Sequence, residues 1–419
     1  MSCAPAGFRS PRAFEFDTPK PPANVMGRDL AGRNTGVSIA GGASVARSFD
    51  AMGRLITQET TSPAGTVEAR SYVYDWRGRV ESVGVSIAGF PTEDVEYAYT
   101  VEGWLTEEAR TSYAGSSPVT TVRAHSYDDA GNRLTTSTDG VVDHTWTYDE
   151  GNLAATMDGL AYGFNPQAEL EEDPRGYSLL RAPDGVEVEI ADPASGLAYS
   201  IARDPGGNPV GVYDGVTERI QTWGNPELDQ PLVVDEVSGT TAEIVVGIEG
   251  LQIGRKAPSG AFTAAVTDAL GSLVLDGNTL VGVPEAFGVG ASPAAGSMQR
   301  HVYAGLESLP GTPYQLARAR VMDPTAGRFV SADPTGLDGG DHRFIYAESQ
   351  PTGFVERARA KGKHLGRPRV ALDVRPAVAM MEKGYGLKSV AKALGVPRST
   401  LRRHLAEAGV HKGLAAASA

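Results

Sequence analysis

Apolar and polar residues alternate in short runs along the first half of the chain. Tyr72-Val73-Tyr74 and Tyr97-Ala98-Tyr99 place aromatic side chains two residues apart, the spacing at which side chains share one face of a β-strand. Asp75 and Gly78 follow the first run and Gly103 follows the second, as a tight turn with positive φ requires. The pattern predicts a series of β-hairpins. Gly (51) and Pro (27) are abundant in the 419 residues, which argues against a mainly helical protein.

The hairpin pattern is an internal repeat. An aromatic residue, often followed by Asp, precedes two or three residues, Gly, a polar residue and Leu or Val; the copy at 99–105 has lost the Asp. Copies occupy residues 49–55, 74–80, 99–105, 127–134 and 148–153, with a weaker copy at 164–170. Each unit is too small to bury its own apolar face, so neighbouring hairpins must pack together. We expect the Tyr and Asp residues to serve the structure, because turn aspartates and packed tyrosines explain the pattern without chemistry.

These repeats resemble the YD repeats of Rhs and teneurin-type proteins, and the resemblance continues downstream. Residues 267–273 resemble the family's Asp-x-x-Gly-Ser strand, and residues 303–307 and 316–324 resemble the start of the Rhs repeat-associated core. Residues 325–337 are its most specific stretch, and 338–347 resemble its Gly-Gly-x-Asn-x-Tyr-x-Tyr block. In that family the repeats wind into a spiralling β shell around a C-terminal toxin. The resemblance covers about residues 45–355 and implies a partial shell.

The family's core normally ends at an Asp-Pro-x-Gly-Leu motif, where the chain is cut by its own aspartates. Here Glu356 stands in place of that Asp, and the Pro and Leu are absent. Asp323 and Asp333 are candidates for a vestige of the cleavage site, which needs two carboxylates with separated pKa values. Asp before Pro is also an ordinary turn. We favour the structural interpretation and assign no catalytic residue.

Charge divides the chain at residue 356. Residues 1–355 hold 24 basic and 47 acidic residues, a net charge of -23, whereas residues 356–419 hold 14 basic and 4 acidic residues, a net charge of +10. Only Lys20 and Lys256 precede the break, and six lysines follow it. An acidic body with a basic tail indicates two modules with different partners.

The basic tail begins with an extended segment, because Pro368 fixes its own φ and biases the preceding residue away from the helix. Arg367 and Arg369 flank this proline, and arginines on a narrow, extended backbone suit the minor groove of DNA. Three short helices are expected to follow, from Arg375 to about Glu382, from Leu387 to Leu394, and from Pro397 or Arg398 to Ala408.

The second and third helices fit a helix-turn-helix. Its predicted core consists of Val390, Ala391, Leu394, Gly395, Val396 and Leu401. The predicted DNA-binding residues are Arg367, Pro368, Arg369, Arg398, Ser399, Thr400, Arg402 and Arg403. The N-terminal residues of the third helix would contact base edges in the major groove. A solvated basic helical bundle is the alternative interpretation.

Residues 356–408 resemble the C-terminal domain of resolvase/invertase serine recombinases, which implies double-stranded DNA as the partner of residues 356–410. The catalytic α/β domain of those recombinases has no counterpart upstream of residue 356, so we expect DNA binding without strand exchange. Two alternatives stay open. One is a polymorphic toxin with the tail as payload, a secretion machine and an immunity protein as partners. The other is a non-functional fusion of two mobile elements. The location would be cytoplasmic, nucleoid-associated when bound to DNA, or secreted by a dedicated system for a toxin.

The predicted fold is mainly β, a YD-repeat β-hairpin spiral followed by a small all-α three-helix domain. The expected organisation comprises a poorly ordered segment (1–44), a YD-repeat region (45–175), a β-rich shell continuation (176–300), the repeat-associated core (301–355), a basic linker and arm (356–372), the helix-turn-helix (373–410) and a flexible tail (411–419). Cys3 is the single cysteine, which excludes an internal disulfide and a Cys-based zinc cluster. No run of 18 apolar residues is present, so no membrane insertion is expected. No metal and no cofactor are predicted.

Overall fold

The computed structural model describes most of the body and a few residues of the tail. The described residues are 23–166, 169–181, 187–204, 207–223, 233–236, 241–248, 251–257, 259–268, 270–293, 299–333, 342–349, 351, 375–382 and 390. The chain divides into two compact units, Met1–Arg367 and Pro368–Ala419. Each unit is considered by itself.

The first unit begins with a 13-stranded antiparallel sheet in which every strand pairs with its neighbours in sequence. Its strands are Ala23–Arg28 (β1), Asn34–Ile39 (β2), Ser44–Phe49 (β3), Leu55–Thr61 (β4), Val67–Tyr74 (β5), Val80–Ile87 (β6), Phe90–Tyr99 (β7), Leu105–Ser112 (β8), Val119–Tyr127 (β9), Arg133–Thr138 (β10), Val141–Tyr148 (β11), Ala154–Met157 (β12) and Leu160–Ala161 (β13). We call it the repeat sheet. It confirms the predicted hairpins.

A second 13-stranded antiparallel sheet has the same sequential order. Its strands are Gly163–Phe164 (β14), Leu170–Glu172 (β15), Ser178–Arg181 (β16), Glu187–Asp192 (β17), Leu197–Arg203 (β18), Pro209–Tyr213 (β19), Glu218–Thr222 (β20), Val233–Glu236 (β21), Thr241–Ile248 (β22), Leu251–Lys256 (β23), Phe262–Thr267 (β24), Leu273–Asp276 (β25) and Thr279–Leu280 (β26). We call it the second sheet. The change of sheet lies between residues 161 and 163, earlier than the boundary expected at 175.

A five-stranded antiparallel sheet completes the unit. Its strands are His301–Tyr303 (β27), Leu306–Ser308 (β28), Gln315–Ala317 (β29), Arg320–Asp323 (β30) and Arg328–Phe329 (β31). We call it the small sheet. Its residues are buried along nearly their whole length, because both larger sheets pack against it.

Three apolar clusters hold these sheets together. In the first, Tyr97 and Leu105 of the repeat sheet pack with Tyr303 and Met322 of the small sheet. The second joins residues of the second sheet, including Ile190 and Tyr199, to the small sheet through Leu316 and Val321. The third joins Val37 and Ile39 of the repeat sheet to Ile253 and Val266 of the second sheet. The small sheet therefore contributes residues to both the first and the second of these clusters.

The alternation predicted for the repeat strands is observed. Tyr72 is buried, Val73 is exposed and Tyr74 is half-buried, and residues 97–99 follow the same order. The expectation of a poorly ordered segment at residues 1–44 was wrong for residues 23–44. β1 to β3 begin within that range, because Asp29 and Gly32 build a turn of the repeat type.

The second unit contains one described helix, Arg375–Glu382 (α1). It coincides with the first helix predicted in the tail. Val390, in the second predicted helix, is buried. The other residues of the second and third predicted helices lie outside the described residues. The all-α fold of residues 373–410 therefore stays a prediction.

Candidate functional site

Most of the repeat turns are closed by an aspartate; in the copy at residues 99–105, Thr100 Oγ1 takes its place and accepts from the N–H groups of Gly103 and Trp104, each at 3.2 Å. Asp75 Oδ1 accepts hydrogen bonds from the backbone N–H groups of Arg77 and Arg79, each at 2.9 Å. Asp75 Oδ2 accepts from Arg79 Nε at 2.6 Å. Gly78 supplies the left-handed backbone at φ 81°. Burial tends to raise the pKa of the Asp75 carboxyl, but the hydrogen bonds and positive charge of Arg79 outweigh it, so this pKa is lowered.

The arginine that closes one turn also contacts the aromatic residue of the next repeat. The Arg79 guanidinium lies 4.4 Å from the ring centroid of Tyr99, a cation–π distance. The Tyr99 hydroxyl donates to the carbonyl of Val80 at 2.7 Å, which ties the third repeat (99–105) back to the second (74–80). Equivalent tyrosine contacts are Tyr74 to Leu55, Tyr127 to Leu105 and Tyr148 to Arg133, all at 2.7 Å. These contacts give the repeated Tyr and Asp residues a structural role.

Some turns of this type were missed by the sequence pattern. The carboxylates of Asp29, Asp173 and Asp204 each accept from the backbone N–H of the residue four positions later. Each of these aspartates begins an Asp-x-x-Gly sequence, but no aromatic residue precedes the Asp. The Asp-x-x-Gly spacing was therefore the only sequence signal that could have predicted these turns.

The two candidate cleavage aspartates are held by different arginines. Asp323 is 3% exposed, and its Oδ2 lies 2.6 Å from Arg175 Nη2. Its Oδ1 accepts from the backbone N–H of Thr325 at 3.0 Å, which is the ordinary turn favoured by the sequence analysis. Asp333 Oδ2 lies 3.2 Å from Arg320 Nη2. Each carboxylate is thus committed to an ion pair.

Arg175 joins Asp323 to a second buried carboxylate. Its Nη2 also lies 2.6 Å from Asp173 Oδ2, and that oxygen accepts from the Tyr314 hydroxyl at 2.7 Å. Burial is the main reason why the pKa of Tyr314 is raised well above its usual value. One guanidinium therefore neutralises only part of the charge of two buried carboxylates. The hydrogen bonds they accept supply the remaining stabilisation.

A small cavity of about 20 Å³ borders this network. Asp323, Tyr162 and Arg328 are among its lining residues, and the others are mostly apolar. A space of this size holds roughly one water molecule. Burial, followed by the charge of Asp323, raises the pKa of Tyr162, so its hydroxyl stays protonated and is suited to donating a hydrogen bond rather than to acting as a base.

A second polar cluster lies on the buried face of the repeat sheet. It receives residues 281–288, which follow β26 and which we call the strap; residues 281–285 have no regular secondary structure, and Ala286–Gly288 form a 3-10 helix. Arg70 Nη2 donates to the carbonyl of Val281 at 2.6 Å, and Arg110 Nη1 donates to that of Val283 at 2.8 Å. Glu108 Oε2 accepts from the N–H of Ala286 at 2.7 Å. Side chains of the sheet thus satisfy backbone groups that no strand pairs.

The charges under the strap are compensated within the cluster. Arg70 Nε lies 2.6 Å from Glu68 Oε1, and Arg70 Nη1 lies 3.3 Å from Asp268 Oδ2. Arg123 Nη1 lies 2.8 Å from Glu285 Oε2. Burial raises the pKa values of Glu68 and Asp268, and Arg70 opposes that shift in both. The cluster joins the repeat sheet to the chain that follows the second sheet.

His342 connects the end of the body to the clearest repeat. Its Nε2 lies 2.8 Å from Asn132 Oδ1. The backbone N–H groups of Phe344 and Ile345 each lie 3.2 Å from its Nδ1. Burial, with the nearby Arg328, lowers the pKa of His342 to about 4. The ring is therefore neutral at physiological pH.

The predicted DNA-binding residues are not placed by the structure. Arg367, Pro368, Arg369, Arg398, Ser399, Thr400, Arg402 and Arg403 lie outside the described residues, as do Ala391, Leu394, Gly395, Val396 and Leu401 of the predicted core. Their roles stay predictions. Among the described residues, no group of three His, Cys, Asp or Glu side chains is placed to hold a metal ion. Within the same part of the chain, no helix combines the length and apolar character that a membrane span needs.

The described architecture is that of a mainly β protein resembling an Rhs/YD-repeat β shell. No family model matches the chain, and no curated protein is similar to it. Several solved structures have a fold similar to that of this chain. The crystal structure of TcdB2-TccC3 is 15% identical with a TM-score of 0.59, covering 78% of this chain and 19% of that chain. The TcdB2-TccC3-Cdc42 crystal structure is 16% identical with a TM-score of 0.60, and the match covers 81% of this chain and 20% of that chain.

A third solved structure extends the same comparison. The Tc holotoxin pore of Photorhabdus luminescens, with a mutated TccC3, is 14% identical with a TM-score of 0.59, covering 84% of this chain and 19% of that chain. This chain spans about a fifth of the length of each of these structures. At such low identity the likeness establishes the fold of the body and does not extend to activity.

Proposed function

We propose that the β body is a structural carrier module and that the basic tail binds double-stranded DNA. The proposal of a structural body rests on one observation, namely that its buried and repeated polar side chains contact other parts of the scaffold. Asp75 closes a turn, Asp323 pairs with Arg175, and Arg70 and Arg110 hold the strap. These side chains serve the scaffold. The shell-type fold supports a body that carries another segment of the chain.

The DNA-binding part of the proposal rests on the tail's composition. A charge of +10 in 64 residues, an arm with two arginines around a proline, and three helices at helix-turn-helix spacing all favour a nucleic-acid partner. α1, at Arg375–Glu382, agrees with the first of those helices. The expected mode is an arm in the minor groove and the third helix in the major groove.

Fluorescence anisotropy of the full chain against a random DNA duplex pool, measured across salt concentrations, tests this proposal. Binding should weaken steeply with salt, because bound arginines and lysines release counterions. Replacing Arg367 and Arg369 by Ala should weaken binding, and it should make the salt slope shallower by roughly one for each phosphate that is no longer neutralised. Arg343→Ala is the matched control, since Arg343 is an exposed arginine of the body. Equal effects of both changes would contradict a specific role of the arm.

The second candidate function is a toxin with the tail as its payload. The likeness of the body to Tc toxin structures favours it. Expression of the full chain should then impair growth, whereas a chain ending at residue 355 should not. Growth impairment by both chains, or by neither, would argue against a payload in the tail.

A further inference from the structure

The geometry around His342 fixes the protonation state of its ring. An amide oxygen can only accept a hydrogen bond, so Asn132 Oδ1 at 2.8 Å requires a proton on Nε2. A backbone N–H can only donate, so Phe344 and Ile345 require an unprotonated Nδ1. The ring is held in the neutral tautomer with hydrogen on Nε2. Each of its two nitrogens makes a contact that depends on this state.

A second proton on His342 would disrupt this arrangement. It would occupy Nδ1 and face the two N–H donors, so both hydrogen bonds would break. Among charged neighbours, Arg328 opposes the added charge and Asp128 favours it. Asp128 is already engaged, since its Oδ2 accepts from Asn132 Nδ2 at 2.9 Å. Arg328 is anchored by its Nη2, which donates to the carbonyl of Asn152 at 2.6 Å. Burial and the positive charge of Arg328 together outweigh the negative charge of Asp128, so the His342 ring resists protonation.

The residues held by His342 form the last described segment of the body. The Phe344 carbonyl accepts from the N–H of Phe329 at 2.7 Å. Tyr346 is buried and its ring lies 5.6 Å from that of Phe329. Pro351, also buried, lies in the wall of a cavity on the repeat sheet.

We propose that His342 is an acid-sensitive lock, which at neutral pH ties residues 342–349, packed against the small sheet, to Asn132 beside the repeat sheet, and loosens them when its ring takes up a proton. The lock involves the Asn132 side chain on one side and the backbone of residues 344 and 345 on the other. It does not depend on what the tail binds. Its consequence is that the anchor of the body's last segment weakens on acidification.

The size of the effect follows from linkage. In a loosened segment His342 would titrate near 6.5, whereas in the locked segment it resists protonation until about pH 4. Between pH 7.5 and pH 5 the equilibrium for opening should therefore increase about 30-fold. Most of this change falls between pH 6.5 and pH 5. The phenylalanine and tyrosine contacts of the segment are unaffected by pH in this range.

Hydrogen exchange of the full chain, followed by mass spectrometry at pH 7.5 and pH 5.0, tests the lock. After correction for intrinsic exchange rates, protection of peptides covering 342–349 should fall about 30-fold in the wild type. His342→Asn keeps an acceptor for the two N–H groups, and His342→Gln keeps a donor towards Asn132; neither titrates. Both should show little pH dependence in this segment. His144→Gln is the control, because His144 pairs with Asp158 elsewhere on the repeat sheet, and it should behave as the wild type.

A wild-type segment with equal protection at both pH values would overturn the proposal, as would the same pH response in both His342 variants. A second measurement needs no variant. Histidine ring ¹⁵N NMR of the full chain should show His342 as the neutral tautomer protonated at Nε2, titrating near pH 4. Titration near 6.5 would also overturn it.

Discussion

Arg175 Nη2 lies 2.6 Å from Asp323 Oδ2, although 148 residues separate the two in sequence. The contact joins a turn of the second sheet to the small sheet. It also commits Asp323, one of the two candidate cleavage aspartates, to a buried ion pair. The family resemblance pointed to Asp323 for its chemistry, whereas its surroundings support a structural function.

Asp323→Asn should destabilise the body strongly. The change removes the charge-assisted hydrogen bonds that Arg175 donates to this carboxylate, at a cost of about 1.5–3 kcal/mol, although Arg175 keeps its ion pair with Asp173. Asp333→Asn is the matched control, because the side chains of Asp333 and Arg320 are about one-fifth exposed, and it should cost about 1 kcal/mol or less. Urea unfolding of both variants measures the difference. If wild-type chains are cut near residue 355 and Asp323→Asn chains are not, Asp323 takes part in cleavage instead.

The arginine contact of a repeat turn can be separated from its backbone contacts. Asp75 and Asp149 both accept from two backbone N–H groups, but only Asp75 also pairs with an arginine. Asp75→Asn should therefore cost more than Asp149→Asn, by about 1 kcal/mol in the free energy of unfolding. The same denaturant titrations check this. Equal destabilisation would show that Arg79 contributes nothing measurable to the turn.

Two repeat glycines should differ in their tolerance of alanine. Gly131 has φ 85°, and a methyl group there would lie 3.1 Å from the Trp104 ring. Gly151 lacks the positive φ, which is taken by Asn152 at 60°. Gly131→Ala should cost about 1–2 kcal/mol from backbone strain alone, and more from the contact. Gly151→Ala should be close to neutral, and thermal unfolding of the two variants would reveal a wrong assignment if they were equally stable.

Acidification should destabilise the body through His301. Burial is the main cause that lowers the pKa of His301 to about 4; Glu307 opposes it and the guanidinium groups of Arg219 and Arg255 add to it. The unfolded chain binds a proton below about pH 6.5, but the folded chain resists it until about pH 4. The free energy of unfolding should therefore fall as pH decreases through this window, by about 3 kcal/mol from this residue.

The measurement is the slope of unfolding free energy against pH between 6.5 and 5. In His301→Gln this slope should be smaller than in the wild type by about 1 kcal/mol per pH unit, averaged over this range. An unchanged slope in His301→Gln would show that the pKa of His301 is the same in the folded and unfolded chains, contrary to the prediction.

The sequence by itself determined the hairpins of the repeat sheet, because alternation and the Asp-x-x-Gly turn are local properties of a few consecutive residues. It determined the structural role of residues such as Tyr99 and Asp75 for the same reason. It also determined the break in charge at residue 356. The boundary between the two large sheets, and the strands within residues 23–44, escaped it because degenerate copies keep the turn but lack the aromatic residue.

Only the tertiary structure decided which distant residues meet. Arg175 with Asp323, the strap on Arg70 and Arg110, and His342 with Asn132 join positions about 150 to 210 residues apart. No local pattern encodes such pairs, because they depend on how whole sheets pack. Burial then set the protonation states of His301 and His342, since desolvation is a property of the assembled core and not of the residues beside them in sequence.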